Sequence, residues 1–294
     1  MRTPGKVYAI DLGATNLRVG IVDQDLNIID VLRERSTKDD PLKLYDQIHR
    51  MMQTLVMKNR IPVEYIGVSC CGLVEDNKIK LLPNLHIQSF DLAYHLKQDF
   101  PDAQVYIAND ANAAAYAEAR YGSTSEVEDS FFYTISSGIG GCLVHNRILV
   151  NLPFEIGHTF FNYKNKYYEY EYLLSGNGIV NLCRLNGVEI SNAYEMFNGV
   201  KNGEEKFKQI YNDWLINLSV LIANNQMNFN TDLTVLSGGV MKSADVFVDD
   251  LTHVVNAFLA PYPVKRVKFV NAKFDQDVGL IGGASVGLSL INNK

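Results

Sequence analysis

The sequence predicts an α/β fold of two similar halves. Three observations lead there: β-rich runs alternate with segments of helical spacing, an opening strand–turn–strand pattern returns about 125 residues later, and 294 residues suffice for about two domains of roughly 150. VYAIDL, NLRVGIV and NIIDVLRERS, separated by GAT and DQDL, read as a meander of three strands. Pro41 to Met57 carries Leu42, Leu44, Tyr45, Ile48, Met51, Met52, Leu55 and Val56 at three-to-four spacing and predicts an amphipathic helix. A strand at Tyr65 to Ser69, a helix near Leu92 to Asp99 and a strand at Gln104 to Ala108 follow, giving βββαβαβ. An alanine-rich helix from Asp110 to Tyr121 comes next, with Asn109 as its cap.

The repeat then begins. FFYTISSGIGGCLV at 131–144 matches YAIDLGATNLRVGIV at 8–22, with Ile135 on Ile10, Ser136 on Asp11, Gly138 on Gly13 and Val144 on Val19. VSCCG at 68–72 and VLSGG at 235–239 form a second echo. Helices are predicted near Tyr168–Cys183, Glu204–Asn228 and Ala244–Phe258, strands at Leu233–Leu236 and Val267–Val270, and a buried helix in the uncharged run from Val278 to Asn293. The expected division is 1–108 with the final helix 278–294, against 109–277, with the active site in the cleft between the halves.

Composition removes several classes. The chain is 47% hydrophobic, too apolar for disorder, and 27 basic against 33 acidic residues leave −6, with no basic run to follow a nucleic-acid backbone. The 4 cysteines (Cys70, Cys71, Cys142, Cys183) form neither a disulfide framework nor a CxxC pair, which fits a reducing, cytoplasmic setting. No run reaches the roughly 18 apolar residues of a membrane span, and the N-terminus has no signal-peptide stretch, so neither membrane nor nucleic acid is an expected partner.

Several short motifs can carry chemistry, each with an ordinary alternative. Asp11-Leu12-Gly13-Ala14-Thr15-Asn16 is either a plain turn or an anion-binding tip, whose lone carboxylate would serve to hold a hydrated divalent cation. Ser136-Ser137-Gly138-Ile139-Gly140-Gly141 repeats the tip without the acid. Neither is a P-loop or a GxGxxG fingerprint. Asn109-Asp110 is a cap with a first-turn acid, or a base that the helix dipole holds ionised for phosphoryl transfer. Glu155-Ile156-Gly157-His158 is a surface loop or a pair of sugar-hydroxyl ligands, Pro83-Asn84-Leu85 a turn, and Ser237-Gly238-Gly239 a tight helix start or a bed for a flat ring. The aromatics from Phe160 to Tyr172 read as packing for their loop.

In this order, DLGATNLRVG, NDANAAAYAE, SSGIGG, EIGH and LSGG resemble the ROK family of sugar kinases and sugar-responsive repressors, over nearly the whole chain. The resemblance implies an actin-like, hexokinase-type ATPase fold with duplicated βββαβα halves. It also implies ATP-dependent phosphorylation of a hexose or N-acylhexosamine at the 6-hydroxyl, with β-glucoside kinase or a non-enzymatic sugar sensor as alternatives. Asp110 would be the general base, and Asn84, Asn109, Glu155, His158 and Glu171 sugar ligands. Asp11, Gly13, Thr15, Asn16, Gly138, Gly140 and Gly141 would surround the ATP phosphates and a Mg²⁺ held by Asp11 through water, with Gly238 and Gly239 near the adenosine. Repressor members carry a helix-turn-helix before the DLG strand, and the ten or so residues ahead of Asp11 are too few for one.

The chain departs from the family twice. Ser69-Cys70-Cys71-Gly72 stands where many members have GVPG, and TFFNYKNKYYEYEY at 159–172 replaces the cysteine-rich zinc motif, so no structural zinc is expected. A homodimer is expected, as are hinges near 109–122 and Asp275–Gly279.

Overall fold

The computed structural model describes residues 5–150, 152, 154–274 and 277–292. The chain divides into two compact units, Met1–Arg120 with Gln276–Lys294, and Tyr121–Asp275. In the first unit β1 (Lys6–Leu12), β2 (Asn16–Asp23) and β3 (Ile28–Arg35) form the antiparallel meander, α1 (Pro41–Asn59) follows, and β4 (Tyr65–Cys70) pairs parallel to β1. A side sheet of β5 (Leu73–Glu75), β6 (Lys78–Leu82) and β7 (Ile87–Phe90) precedes α2 (Leu92–Asp99), β8 (Gln104–Asn109) and α3 (Asp110–Tyr121). The main sheet runs β3-β2-β1-β4-β8. The β5–β6 turn places Asp76 and Asn77 at φ 51° and 60°, and the Asn77 amide then covers the edge of β8, accepting from Ile107 N at 2.6 Å and donating to Val105 O at 3.0 Å.

The second unit repeats the plan with β9 (Ser130–Ile135), β10 (Ile139–His145) and β11 (Ile148–Leu149), then a hairpin of β12 (Phe160–Tyr163) and β13 (Lys166–Glu169). Helices α4 (Tyr170–Leu174), α5 (Gly176–Leu185), α6 (Ala193–Lys201) and α7 (Glu205–Phe229) lead to β14 (Leu233–Ser237), α8 (Ala244–Leu259) and β15 (Phe269–Asn271). Its sheet runs β11-β10-β9-β14-β15, with β9, β14 and β15 parallel, as β1, β4 and β8 are. The duplication read from the echo at 125 residues is therefore a duplication of topology. The core centres on fully buried Trp214, whose indole N–H reaches Leu174 O at 2.9 Å between the rings of Phe197 and Phe247. Helix α9 (Val278–Asn292) returns to the first unit.

The period-two alternation of β1 separates two layers. Tyr8, Ile10 and Leu12 join Leu44, Ile48, Met51, Met52 and Leu55 of α1 in one buried cluster. Val7 and Asp11 face α9, which comes so close that a Cβ at Gly67 would lie 1.9 Å from the carbonyl oxygen of Gly283. Only glycine on the sheet permits that approach.

Some details differ from the expectations. The helix expected across Tyr168–Cys183 is two helices, because Ser175 caps α5 by accepting from Gly178 N at 2.9 Å. The side sheet, α6 and the β12–β13 hairpin are additional. The unit boundary falls after α3 rather than before it, since Ala113 packs with Ala108 and with Val286 of α9. The range 109–122 expected to hinge is occupied largely by regular α3. Asp275 of the second hinge and Asn293 lie outside the described residues.

The loop reading of 159–172 is corrected: Lys164 and Asn165, at φ 48° and 63°, make a tight two-residue turn of the primed kind. Phe161, Tyr163 and Tyr170 are buried while Phe160, Tyr167 and Tyr172 are exposed, so only one side of the hairpin packs. Tyr163 ties it down, donating to Asp213 at 2.8 Å and accepting from Asn186 at 2.9 Å.

Candidate functional site

In the first unit the site grows from strand ends. Asp11 is the penultimate residue of β1 and Asn109 closes β8, so parallel pairing brings the loops after β1, β4 and β8 to the same edge of the sheet. The first tip is fixed from within, Gly13 N donating to Asn16 O at 3.0 Å, and from outside by buried Ser36. Ser36 N donates to Thr15 O at 3.1 Å and its hydroxyl to Gly13 O at 2.7 Å. Asn16 accepts at its side chain from Arg33 at 3.3 Å.

Asn109 caps α3 as expected, accepting from Ala111 N at 3.0 Å, and its amide nitrogen holds Gly72 O at 3.0 Å. Asp110 also accepts from Ala111 N, at 2.8 Å. Its carboxylate is reached by water, yet protein crowds it on its other sides. That desolvation, with Asp11's charge adding, pushes its pKa up to about 6. The expectation that the helix dipole dominates is thereby corrected: poor hydration outweighs the N–H groups of the first turn.

Asp11 is not a lone carboxylate either. Arg18 lies opposite it in the β1–β2 ladder and donates from Nε to Asp11 Oδ2 at 2.8 Å and from Nη1 to Asp277 Oδ1 at 2.8 Å. Burial raises the Asp11 pKa against the pull of Arg18. Asn84 is exposed on a 3-10 turn, Pro83–Leu85, which is held by Asp39 N donating to Leu85 O at 2.8 Å.

In the second unit Glu171 supports the glycine-rich tip: its Oε2 accepts from Ile139 N at 2.8 Å, and a Cβ at Gly138 would stand 2.4 Å from that oxygen. Ser136 O accepts from Gly176 N at 2.6 Å at the start of α5. Gly238, at φ 99°, crosses the Ile135 backbone where a side chain would clash at 2.4 Å, and Gly239 begins the following 3-10 turn. Gly140 and Gly141 pair with Thr134 and Tyr133 in the ladder. Gly141 is a packing position, since a Cβ there would meet Ile156 Cδ1 at 2.3 Å.

Glu155 precedes and His158 ends the 3-10 turn Ile156–His158, and both are exposed. His158 Nδ1 bonds Glu169 Oε2 at 2.9 Å, and this bond raises the imidazole pKa, with Glu171 and Glu155 adding to it. Glu155, His158, Glu169 and Glu171 thus form one group of acceptors and a switchable donor suited to hydroxyls.

The structure brings together Asp11, Asn109 and Asp110 in one unit and Gly138, Glu171, His158 and Glu155 in the other. Sequence reasoning missed Ser36, Arg18 and Glu169. Arg18 was findable, because a hairpin that pairs Leu12 with Leu17 must set residue 18 opposite residue 11.

The chain belongs to the ROK family, whose model matches residues 7–288. An N-acetylmannosamine kinase of Yersinia pestis (strain Pestoides F) is 25% identical, covering 95% of this chain and 97% of that protein. A bifunctional enzyme NanE/NanK of Brucella melitensis biotype 1 is 31% identical over 63% of this chain and 35% of its own length. Among solved structures, a ROK hexokinase from Thermus thermophilus superposes with TM-score 0.86 at 21% identity, covering 99% of this chain and 100% of that one. A ROK glucokinase from Streptomyces griseus, in complex with glucose and AMPPNP, gives TM-score 0.73 at 19% identity over 97% and 100%. The fold is the actin-like, hexokinase-type ATPase fold that the motifs implied.

Among the described residues no group of three or more His, Cys, Asp or Glu is arranged to hold a metal, and no helix is long and apolar enough to cross a membrane. Cys70, Cys142 and Cys183 are buried, and burial pushes the Cys71 thiol up to about 12. After EDTA dialysis we expect no stoichiometric zinc by elemental analysis, an unchanged melting temperature, and unchanged sugar affinity by calorimetry. One zinc per chain, lost together with sugar binding, would contradict this reading of the hairpin.

Proposed function

We propose that this chain, a carbohydrate kinase by class, transfers the γ-phosphoryl group of ATP to the 6-hydroxyl of a hexose or N-acylhexosamine. Asp110 acts as the general base. The observation that carries the proposal is Asp110 itself: a carboxylate raised to about 6, at the start of α3, fixed by Ala111 N–H and facing the charge of Asp11. Such a group is ionised at neutral pH and still basic enough to take a hydroxyl proton late in the reaction.

Asp110 orients the sugar hydroxyl and accepts its proton as the new oxygen–phosphorus bond forms and the bond from the γ-phosphorus to the ADP oxygen breaks. The Ala111 N–H steadies the carboxylate. Asn109, with one amide proton beyond its bond to Gly72 O, and Asn84 are assigned to the sugar. Glu155, His158 and Glu171 are likewise assigned to the sugar, with Glu169 orienting the imidazole of His158. The backbones of the two tips, at Gly13 to Asn16 and Gly138 to Gly140, receive the phosphates, and Gly238 and Gly239 leave flat backbone for the adenosine.

Asp11 Oδ1, the oxygen that Arg18 does not hold, would face a hydrated Mg²⁺ through water, and the mutual repulsion of Asp11 and Asp110 is what such a cation would relieve. Bound with the nucleotide, Mg²⁺ supplies charge neutralisation at the phosphate oxygens.

N-acetylmannosamine and glucose-type sugars are the leading acceptors, and a β-glucoside is next. The Yersinia pestis relative is named an N-acetylmannosamine kinase. The test is ATP consumption measured against glucose, mannose, fructose, N-acetylglucosamine, N-acetylmannosamine and simple β-glucosides. We expect one sugar to exceed the others in kcat/KM by at least ~10-fold, the scale of one well-used pocket contact. Sugar binding without turnover across the whole panel would favour a sensor built on the kinase fold.

A further inference from the structure

The geometry points to Arg18 as a positioning residue that aims the Asp11 carboxylate. This inference rests on the kinase reading above only in assigning Asp11 to the metal–nucleotide side of the site.

One guanidinium joins three pieces of chain. It projects from β2, donates from Nε to Asp11 Oδ2 at the end of β1, and donates from Nη1 to Asp277 Oδ1 just ahead of α9. Arg18 and Asp11 are only 18% and 17% exposed at their side chains, so this is not a loose surface pair, although Asp277 at 53% is open to water. On the other side of Asp11, Gly279 in the first turn of α9 comes so near that a Cβ there would lie 2.3 Å from Asp11 Oδ1.

Asp11 is thus gripped by Arg18 on Oδ2 and walled by α9 beside Oδ1. The planar guanidinium holds two carboxylates at once, one N–H to Asp11 and another to Asp277, in a fixed relative geometry that a lysine ammonium does not keep. Arg18 is itself held by Asp277, the first described residue after the chain returns to this unit. The consequence is that Asp11 presents its carboxylate in one orientation before any ligand arrives, so no rotamer has to be selected on binding.

The experiment compares Arg18→Ala, Arg18→Lys and Asp277→Asn with the parent protein. Calorimetry measures the affinity for the best-binding sugar alone and for AMP-PNP with magnesium, and steady-state kinetics measure kcat and the KM for MgATP. For Arg18→Ala we expect a loss of at least ~10-fold in MgAMP-PNP affinity and ~10²-fold in kcat, the scale on which small misplacements act, with sugar affinity within about twofold. Arg18→Lys keeps the charge and not the fork, so it regains part of the nucleotide affinity and little of kcat. Asp277→Asn leaves Arg18 charged and loosens its anchor. It gives a smaller loss of the same kind, and its exposed site keeps it informative if the Arg18 variants fold poorly.

Unchanged MgAMP-PNP affinity in both Arg18→Ala and Asp277→Asn would overturn the inference. So would tighter binding in either, which would make Arg18 a competitor of the cation, or a joint collapse of sugar affinity and melting temperature in Asp277→Asn, which would make the network merely structural. Should the parent bind sugar and nucleotide without turnover, the kinase reading fails while the MgAMP-PNP comparison still decides the role of Arg18.

Discussion

Asp110→Asn is expected to bind sugar as the parent does and to lose at least ~10²-fold in kcat, the low end of what a positioned acid–base group contributes. The amide preserves the shape of the side chain and can still accept from Ala111 N, so the start of α3 survives. What it cannot do is take a proton. Parent activity should also fall as pH drops through about 6, because desolvation raises this carboxyl and protonation disables the base.

The stability sign runs the other way. An acid whose folded pKa is raised binds its proton more readily in the folded state, so the fold carries a penalty that is absent below the ordinary carboxylate range and complete above about pH 6. Asp110→Asn should therefore be no less stable than the parent at pH 7 by thermal unfolding. Full activity in the variant would remove Asp110 from the mechanism, and a marked fall in melting temperature would mean that Asp110 is structural.

Gly67→Ala should be among the most damaging single-methyl changes in the chain. Its Cβ would fall 1.9 Å from Gly283 O and 2.6 Å from Gly287 N, both backbone atoms, so no side chain can rotate out of the way. Helix α9 must lift off β1 and β4. Overpacking of this kind reaches about 3 kcal/mol at the upper end of its usual range, which for a unit of this size is a fall of about 6–12 °C in melting temperature. Turnover should fall with it, because the first turn of α9 is what walls Asp11 through Gly279. An unchanged melting temperature would show that α9 does not lie where the structure has it.

The regular elements were legible because their signals are local. Alanine-rich α3 begins at Asp110 and ends at Tyr121 as its cap and composition require, and α2 runs from Leu92 to Asp99 as read. The repeat was legible because the residues that build each tip, a small turn between two apolar strands, are few and fixed in order. The elements that were missed draw their stability from elsewhere. Strands β12 and β13 have four residues each and are held by Tyr163 reaching Asp213, a partner fifty residues away that no periodicity reveals. The break at Ser175 depends on a side-chain cap and on Gly176 bonding Ser136 O across the unit.

The candidate site divides along the same line. Asp110, Asn109 and the tip glycines stand in motifs, whereas Ser36, Arg18 and Glu169 act through register and tertiary contact. The ionisation of Asp110 was misjudged for a related reason: a first-turn acid shows its helix dipole in the sequence, but the crowding that outweighs the dipole exists only once the chain is folded.

Phosphoryl transfer to the 6-hydroxyl is tested most directly by ³¹P and ¹³C NMR of the mixture that the parent protein forms from MgATP and its best-bound sugar. We expect one sugar phosphate ester at carbon 6 for each ADP released, with Asp110→Asn binding the same sugar and forming essentially none. ADP released without an ester, an ester at another carbon, or bound sugar left unmodified beside intact ATP would contradict it.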